Sequence, residues 1–232
     1  MHAPATPPIP LETLLLAYRN GIFPMSDARE DEQVYWVEPR ERAIIPLDGF
    51  HCSRSLKKVL RGERYRVTCN TAFADVIEAC AAPRADHPES WISRPIMESY
   101  KALHRMGHVH SIECWDGETL VGGLYGVSFD SVFCGESMFS RADNASKVAL
   151  AWLVACLNRG GYRLLDCQFM TDHLESLGAV AMAQAEYLEL LNQAREAASM
   201  QLPEAFDALL ADAQSLDEPP GKLIAQSFTQ TS

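Results

Sequence analysis

The chain has 232 residues, of which 47% are hydrophobic, and its formal net charge at pH 7 is −11. No apolar run approaches the roughly 18–20 residues that span a bilayer, and the start lacks the charged and apolar regions of a secretory signal. Because the seven cysteines form no C-x-x-C pair, the sequence argues against a zinc knuckle or redox dithiol and favours reduced thiols in the cytoplasm.

Short elements are predicted for the first forty residues. Residues 1–10 are rich in proline and are expected to be loosely held. A helix is predicted over 11–20, with Gly21 as its C-terminal stop. The aromatic segments 22–25 and 35–36 are expected to be loop elements separated by a charged turn.

A segment rich in cations stands out in this acidic chain. Between residues 51 and 66, a single acid accompanies six basic residues, Arg54, Lys57, Lys58, Arg61, Arg64 and Arg66. Ser53 is predicted to cap a helix that runs to about residue 61. A local basic surface can bind phosphates even on an acidic protein, whereas most charged runs are simply solvated faces. We favour a phosphate-binding surface.

Strands and helices alternate along the rest of the chain. Asp116-Gly117 predicts a hairpin between strands at 108–115 and 118–127. A helix is predicted to begin after residue 144 and to end at Gly160-Gly161. In chain order, the other predicted elements are a strand at 42–47, a strand at 65–69, helices near 72–81 and 94–106 separated by a Pro/His loop, strands at 131–139 and 162–169, a helix at 171–177, a strand near 180 and a helix at 184–198. This order predicts an α+β fold, with a mixed, mostly antiparallel sheet flanked by helices.

The strand at 131–140 carries an acid among apolar and aromatic residues. Glu136 occupies this position, and a buried carboxylate is costly unless it has a partner. The strand period of two places Cys134 and Met138 on the same face as Glu136. An acid between two soft apolar side chains predicts the floor of a ligand pocket.

A second apolar strand, at 164–169, repeats this anomaly. Asp166 and Gln168 share one of its faces by the same period. We expect the Asp166 carboxylate to accept a hydrogen bond from the Gln168 amide N–H, which would leave the Gln carbonyl facing a substrate donor. The alternative is an ordinary strand end whose polar groups are satisfied by loop backbone.

A hydrolase pattern overlaps the same strands. Gly135-Glu-Ser-Met-Phe139 is similar to the G-x-S-x-G elbow, and Ser137, Asp166 and His173 follow the chain order of its triad. The elbow needs a sharp turn straight into a helix, whereas strand residues here continue to Ser140. We therefore disfavour a serine esterase that uses Ser137.

Three further patterns are less specific. His104, His108 and His110 are expected to be structural rather than metal ligands, because Gly107 separates the first two. Trp91 is either a core residue or a stacking platform for a ring. No glycine loop for a nucleotide phosphate is found in the sequence, so neither a nucleotide nor acetyl-CoA is expected as a cofactor.

Short stretches spread over about residues 14–190 match one family in its order. They are Ala17-Tyr-Arg-Asn-Gly-Ile-Phe-Pro24, His51-Cys-Ser-Arg-Ser55, Trp91-Ile92, Leu103-His-Arg-Met-Gly-His-Val-His-Ser-Ile-Glu113, Leu120-Val-Gly-Gly-Leu-Tyr-Gly-Val127, Phe133-Cys-Gly-Glu-Ser-Met-Phe-Ser140, Ala145-Ser-Lys147, Asp166-Cys-Gln168 and Ser176-Leu-Gly-Ala179. Together they resemble the bacterial leucyl/phenylalanyl-tRNA–protein transferases. The resemblance implies a small N-terminal domain and an acetyltransferase-like (GNAT-type) domain that does not use acetyl-CoA.

The resemblance also implies a reaction. Leu or Phe would move from aminoacyl-tRNA to the α-amino group of proteins that begin with Arg or Lys, which marks them for degradation. One methylene is worth only about 1–3 kcal/mol in an apolar pocket, so Met is expected as a further donor residue.

By position in the motifs, the resemblance assigns roles to residues. Asp166 and Gln168 would be the catalytic pair, and Glu136 the pocket acid near the reacting amine. The pocket for the Leu or Phe side chain would consist of Met138, Leu124, Phe133, Leu153, Leu157 and Leu165. Trp91 and Met25 would contact the 3′ adenosine of the tRNA. The tRNA phosphates would be held by Arg54, Lys57, Lys58 and Arg61.

The chain departs from the family at its ends. A Gly-Gly-Asp-Leu stretch usual upstream of the first helix is missing, and Met25 stands where an aromatic residue often follows Ile-Phe-Pro. We predict an abbreviated N-terminal domain at 1–41, a catalytic domain at 42–198 and an acidic, partly disordered extension at 199–232. A cytoplasmic monomer without a membrane partner is expected.

Overall fold

The computed structural model describes residues 8–83 and 89–228. The expected loose start and the Pro/His loop therefore fall partly outside the described residues. In chain order, the elements are α1 (Leu11–Arg19), β1 (Phe23–Met25), β2 (Tyr35–Val37), β3 (Glu41–Ile44), α2 (Arg54–Arg61), β4 (Arg66–Cys69), α3 (Phe73–Cys80), α4 (Arg94–Arg105), β5 (Val109–Asp116), β6 (Thr119–Phe129), β7 (Val132–Ser140), α5 (Ala145–Gly160), β8 (Leu164–Gln168), α6 (Asp172–Glu175), β9 (Val180–Ala183), α7 (Gln184–Gln193), α8 (Leu202–Ser215) and α9 (Pro220–Ser227).

Seven of these strands form one mixed sheet in the order β4-β5-β6-β7-β8-β3-β9. Only the β7–β8 pair is parallel, and the other neighbours in this sheet are antiparallel. The β5–β6 hairpin turns at Gly117, whose φ of 58° places it in the left-handed region that glycine favours. The predicted α+β class with a mostly antiparallel sheet flanked by helices is confirmed.

Helices cover both faces of the sheet. On one side, the α5 face, apolar residues of α2, α5, α8 and α9 pack together against the strands. On the other side, the α4 face, residues of α1, α3, α4 and α7 form a second core. Most of α5 is buried because the sheet lies beneath it and α8 lies against it. No helix within the described ranges is long and apolar enough to cross a bilayer.

The two aromatic segments near the N-terminus are not loops as predicted. They form the antiparallel ladder of β1 and β2, in which Met25 lies opposite Tyr35 and Pro24 opposite Trp36. Aromatic residues suit a strand because they pack across a pair. Proline is tolerated here since each strand of a two-stranded ladder is an edge.

The segment beyond residue 198 also differs from the expectation of partial disorder. Its helices α8 and α9 are anchored by aromatic contacts, since the Phe206 ring lies 5.1 Å from that of Trp152 and the Phe228 ring 4.9 Å from that of Phe50. At Gly221, a Cβ would collide with the Leu60 carbonyl oxygen, so α9 approaches α2 closely. The described part of this segment is therefore packed onto the α5 face.

We predict that Phe206→Ala lowers the free energy of unfolding by about 3–5 kcal/mol, because the lost ring leaves a cavity against Trp152. Leu216→Ala is the control, since Leu216 is 61% exposed. This substitution should change the free energy of unfolding by less than about 0.5 kcal/mol. Urea denaturation of both variants measures the difference. Equal effects for the two variants would contradict the packing of α8.

Candidate active site

A cleft opens in the sheet where β7 and β8 diverge. The two strands pair in parallel only as far as Cys134 and Asp166. Beyond that point β7 bulges, because Gly126 of β6 pairs with Gly135 while the adjacent Tyr125 pairs with Ser137, so Glu136 is an extra residue. A Cβ at Gly126 would collide with the backbone of Cys134, so glycine permits this close approach.

The bulge overturns the prediction that Glu136 and Met138 share a face. Glu136 accepts a hydrogen bond from Tyr100, which lies in the core of the α4 face. Met138 instead packs against the core of the α5 face. The extra residue shifts the alternation of side chains by one position. The acid and the thioether therefore approach the cleft from opposite sides of the sheet.

The cleft contains a cavity of about 520 Å³, within the range of small-molecule sites. Apolar side chains of the α5 face line its depth, and they are Leu124, Met138, Leu150, Leu153 and Leu165. Four further aromatic and apolar side chains line it, and they are Phe23, Met25, Trp91 and Phe169. Glu136 and Gln168 also line it, and they are only 9% and 7% exposed. The lining is thus mainly apolar, and Glu136 and Gln168 are its buried polar pair.

Two predicted pocket residues do not line this cavity. Phe133 precedes the point where the strands diverge, and it is fully buried in the core of the α5 face. Leu157 lies one turn beyond Leu153 on α5 and is buried in the same core. Leu150 lines the cavity instead, and the apolar spacing of α5 would have placed it beside Leu153.

A hydrogen-bonded chain runs from the cleft into the α4 face. The Gln168 amide Nε2 donates to Glu136 Oε1 at 3.0 Å, and the Tyr100 hydroxyl donates to Glu136 Oε2 at 2.8 Å. The Tyr100 hydroxyl also bonds to that of Tyr18 at 2.6 Å. The prediction that the Gln168 amide donates to Asp166 was therefore wrong. The bond to Glu136 fixes the orientation of the amide, whose carbonyl oxygen can accept a hydrogen bond from a ligand.

Asp166 lies behind the cleft and is 0% exposed. The Arg42 guanidinium donates to it from Nε at 2.8 Å and from Nη2 at 2.5 Å. The Tyr187 hydroxyl donates at 3.2 Å, and the backbone N–H of Gln168 at 2.9 Å. Arg42 is itself fully buried between the rings of Phe23 and Tyr187, at 4.8 and 4.4 Å from their centres.

Sequence reasoning missed Arg42, Tyr18, Tyr100 and Tyr187. Arg42 opens the apolar predicted strand at 42–47, so it lacks the position within a strand that identified Glu136. Cations are common at strand ends, and nothing in the pattern distinguishes this one. The three tyrosines reach the site only through contacts with residues that are distant in the sequence, so no local pattern identifies them.

Burial sets the charge state of the cleft. Burial is the largest influence on the pKa of Glu136 and raises it, the hydrogen bond from Tyr100 lowers it, and the charges of Asp166 and Arg42 act in opposite directions, so that the net pKa is about 7. Burial alone lowers the pKa of Arg42, but the adjacent Asp166 carboxylate more than compensates, and the pKa is raised. The Arg42 guanidinium therefore stays charged over the range in which Glu136 titrates.

The hydrolase triad that the sequence analysis disfavoured is not assembled. Ser137 and His173 both line the cleft, but Asp166 is held by Arg42 and has no exposed surface. No hydrogen bond within the described ranges joins Ser137 to His173.

The three histidines lie elsewhere. His104 stacks on Phe73 with a 4.2 Å centroid distance, and His110 bonds to Asn70 at 3.0 Å. Among the described residues, no group of three or more His, Cys, Asp or Glu side chains is placed to hold a metal ion.

The basic helix α2 lies on the α5 face. Its predicted cap is confirmed, since Ser53 Oγ accepts a hydrogen bond from the Leu56 N–H at 3.2 Å. The side chains of Arg54, Lys58 and Arg61 are exposed, whereas Lys57 is half-buried. Lys57 Nζ donates to the carbonyl of Phe228 at 3.3 Å, at the end of α9. Lys57 therefore already has a structural contact.

Comparisons with known proteins match one family over most of the chain. A family model described as leucyl/phenylalanyl-tRNA protein transferase matches residues 44–192, and the model of that family's N-terminal domain matches residues 9–40. A leucyl/phenylalanyl-tRNA–protein transferase of Novosphingobium aromaticivorans is 54% identical and is covered over 97% of both chains. One from Zymomonas mobilis is 58% identical over 78% of this chain and 68% of its own.

The solved structures are more distant. A functionally unknown conserved protein from Staphylococcus epidermidis is 11% identical and has a TM-score of 0.40, over 78% of this chain and 67% of its own. A likeness this weak carries no argument about fold or function.

We predict that Glu136 makes the protein less stable as pH rises. Its folded pKa of about 7 exceeds the ordinary 4.5, so the folded state binds the proton more tightly, and this stabilisation is lost as pH rises through 7. The free energy of unfolding relative to Glu136→Gln should fall by roughly 3 kcal/mol from pH 4.5 to pH 8.

Urea denaturation of both proteins across this range measures the difference. Comparing the two proteins cancels the contribution of His110, which both contain. Burial lowers the pKa of His110 to about 4, so its contribution to the free energy of unfolding rises with pH. A difference that stays constant with pH would show that Glu136 titrates normally.

Proposed function

The chain belongs to the leucyl/phenylalanyl-tRNA–protein transferase family, and we propose that it moves Leu or Phe from aminoacyl-tRNA to proteins that begin with Arg or Lys. Transfer of an aminoacyl group to protein follows from the family. The identity of the amino acid and of the acceptor is our proposal. The observation that carries it is the Gln168 amide, held by Glu136 at the edge of an apolar cavity.

The apolar depth of the cleft supports Leu and Phe as donor side chains. Leu124, Met138, Leu150, Leu153 and Leu165 offer hydrocarbon and a thioether but no charge. A charged side chain would lose its hydration there without a partner. Discrimination among apolar side chains is loose at about 1–3 kcal/mol per methylene, so Met should also be accepted.

The polar pair supports aminolysis of the ester. The acceptor amine attacks the ester carbonyl carbon and the C–N bond forms. The bond to the ribose oxygen then breaks, and the proton lost by the nitrogen passes to that oxygen, which leaves as a hydroxyl. As the amine nitrogen becomes positive, one N–H can donate to the Gln168 carbonyl oxygen, which the bond from Nε2 to Glu136 orients. An ionised Glu136 would stabilise the positive charge.

The reaction needs no nucleoside triphosphate because the ester is already activated. Placing the amine and the ester together can contribute up to about 7–11 kcal/mol. The chemistry proposed here therefore uses neither a cofactor nor a metal ion.

The 3′ end of the tRNA would enter the cleft. Trp91 and Met25 line the cleft and are proposed to contact the 3′ adenosine. Arg54, Lys58 and Arg61 are exposed on α2 and are proposed to bind phosphates. Lys57 would add to their field while bonded to Phe228.

The fold type, the domain boundaries, the location and the oligomeric state of the protein belong to the same proposal. A GNAT-type arrangement is supported by the parallel β7–β8 pair, which diverges at the site, and by α5 following β7. We propose three segments, an N-terminal domain at 1–41, a catalytic domain at 42–198 and an extension at 199–232. The first boundary is supported by β3, which is the first strand of the seven-stranded sheet along the chain. We also propose a cytoplasmic monomer, and the cytoplasmic location is supported by seven cysteines that form no disulfide among the described residues.

We predict that Gln168→Ala lowers kcat for transfer by roughly 100- to 1,000-fold, since an oriented polar group at the reacting nitrogen is lost. Binding of Leu-tRNA should persist because the apolar depth is intact. Gln193→Ala, at the exposed end of α7, is the matched control. The assay follows radiolabelled Leu-tRNA with an acceptor protein that begins with Arg.

The fate of the label separates the candidate functions. Label in protein supports transfer, label in free leucine would indicate an esterase, and label that stays on tRNA would indicate a binding module. If Gln168→Ala turned over like the control, the proposed role of its amide would be wrong.

We predict that Lys58→Ala weakens tRNA binding and reduces the slope of log K against log salt by about 1, because one phosphate contact is lost. Arg105→Ala is the control, since Arg105 is an exposed cation at the end of α4 on the opposite face of the sheet. Binding measured from about 50 to 200 mM salt gives both slopes. Equal slopes for wild type and Lys58→Ala would place the tRNA elsewhere.

A further inference from the structure

We infer that Asp166 and Arg42 form a positioning pair that holds Gln168 in its working conformation, and that the charge of Asp166 takes no part in the reaction. This inference rests on the proposed function. Asp166 is then a positioning residue and not a catalytic one, and with Arg42 and Tyr187 it forms a buried frame behind the cleft. The groups that touch substrate are then Gln168 and Glu136.

The first support is the isolation of Asp166 from the cleft. Its side chain is 0% exposed, and it does not line the cavity that Gln168 and Glu136 line. Oδ1 accepts from Arg42 Nε and from the Gln168 backbone N–H, at 2.8 and 2.9 Å. Oδ2 accepts from Arg42 Nη2 and from the Tyr187 hydroxyl, at 2.5 and 3.2 Å. Both oxygens are occupied by the protein.

The second support is the backbone of Gln168. Its φ is +59°, in the left-handed region that a residue other than glycine adopts only at a cost. The carboxylate of Asp166 accepts the N–H two residues ahead, which is the bond by which Asp commonly stabilises a turn. This turn ends β8 at Gln168 and is the conformation in which Nε2 reaches Glu136 across the cleft.

The third support is the way in which Arg42 is held. Its guanidinium lies between the rings of Phe23 and Tyr187, and Nη1 donates to the Gly21 carbonyl at 2.9 Å. Two donors of one rigid plane grip the carboxylate, so they fix its orientation as well as its charge. Arg42 thereby joins β3, the end of α1 and α7 to the turn at Gln168.

Single substitutions to alanine cannot separate positioning from catalysis. Either one leaves a buried charge without its partner, which destabilises the fold whatever the role of that residue. A neutral pair avoids this difficulty. In the double variant Arg42→Met with Asp166→Asn, the Asn oxygen can still accept the Gln168 N–H, and its amide can donate to Tyr187.

The rest of the frame tolerates the neutral pair. Methionine suits the space between two aromatic rings. The Gly21 carbonyl keeps the donor Gln184 Nε2 at 3.3 Å. The turn at Gln168 therefore retains its hydrogen bond without any buried charge.

The test compares the transfer kinetics of wild type, the neutral pair, Asp166→Asn alone and Gln168→Ala, with Leu-tRNA and an acceptor beginning with Arg. We expect kcat of the neutral pair to fall by less than about tenfold, with KM for Leu-tRNA unchanged, and Asp166→Asn alone to lose more. A folded neutral pair as inactive as Gln168→Ala would overturn the inference. A wild type that moves no label into protein would instead overturn the proposed function.

A second variant keeps the inference testable if the neutral pair does not fold. Arg42→Lys retains the charge but not the two-point grip or the bond to Gly21. We expect kcat to fall at least about tenfold while KM for Leu-tRNA stays constant. The charged carboxylate, held at one point by the ammonium, can turn away from the Gln168 N–H, a bond that the neutral pair keeps. A wild-type kcat in this variant would show that the grip of Arg42 does not position Gln168.

Discussion

The buried ion pair of Arg42 and Asp166 is the constraint on which the rest of the site depends. Taking two charges out of water is expensive, and here the cost is offset by a complete set of hydrogen bonds and two flanking aromatic rings. The pair joins the N-terminal segment to the centre of the sheet and ends β8 in a turn. A change to either residue should therefore alter the cleft before it alters the distant cores.

The cleft itself arises from strand geometry. A parallel pair that separates, beside a bulged strand, leaves a gap in the sheet that side chains from both faces can line. Apolar residues of the α5 face fill its depth, and the chain Gln168–Glu136–Tyr100 enters from the α4 face. Selection of an apolar side chain and stabilisation of a reacting amine are thus assigned to opposite sides of one sheet.

The sequence predicted the polar groups of the site better than their contacts. Glu136 and Gln168 were identifiable because a polar residue in an apolar strand needs a reason. The bulge at Glu136 was not identifiable, since period-two alternation contains no sign of an inserted residue. Phe133 was assigned to the pocket by its position in the family motifs, and a motif does not show where two strands separate. The role of Arg42 was not predicted, because its partners come from distant parts of the chain.

The most direct test of this account is a crystal structure of the protein with a non-hydrolysable phenylalanyl-adenosine amide. The account predicts the phenyl ring against Met138 and Leu165 in the depth of the cleft, with the Gln168 carbonyl oxygen towards the amide carbon and its nitrogen still on Glu136. A ring bound outside the cleft, or a Gln168 amide reversed so that its nitrogen faces the ligand, would contradict it.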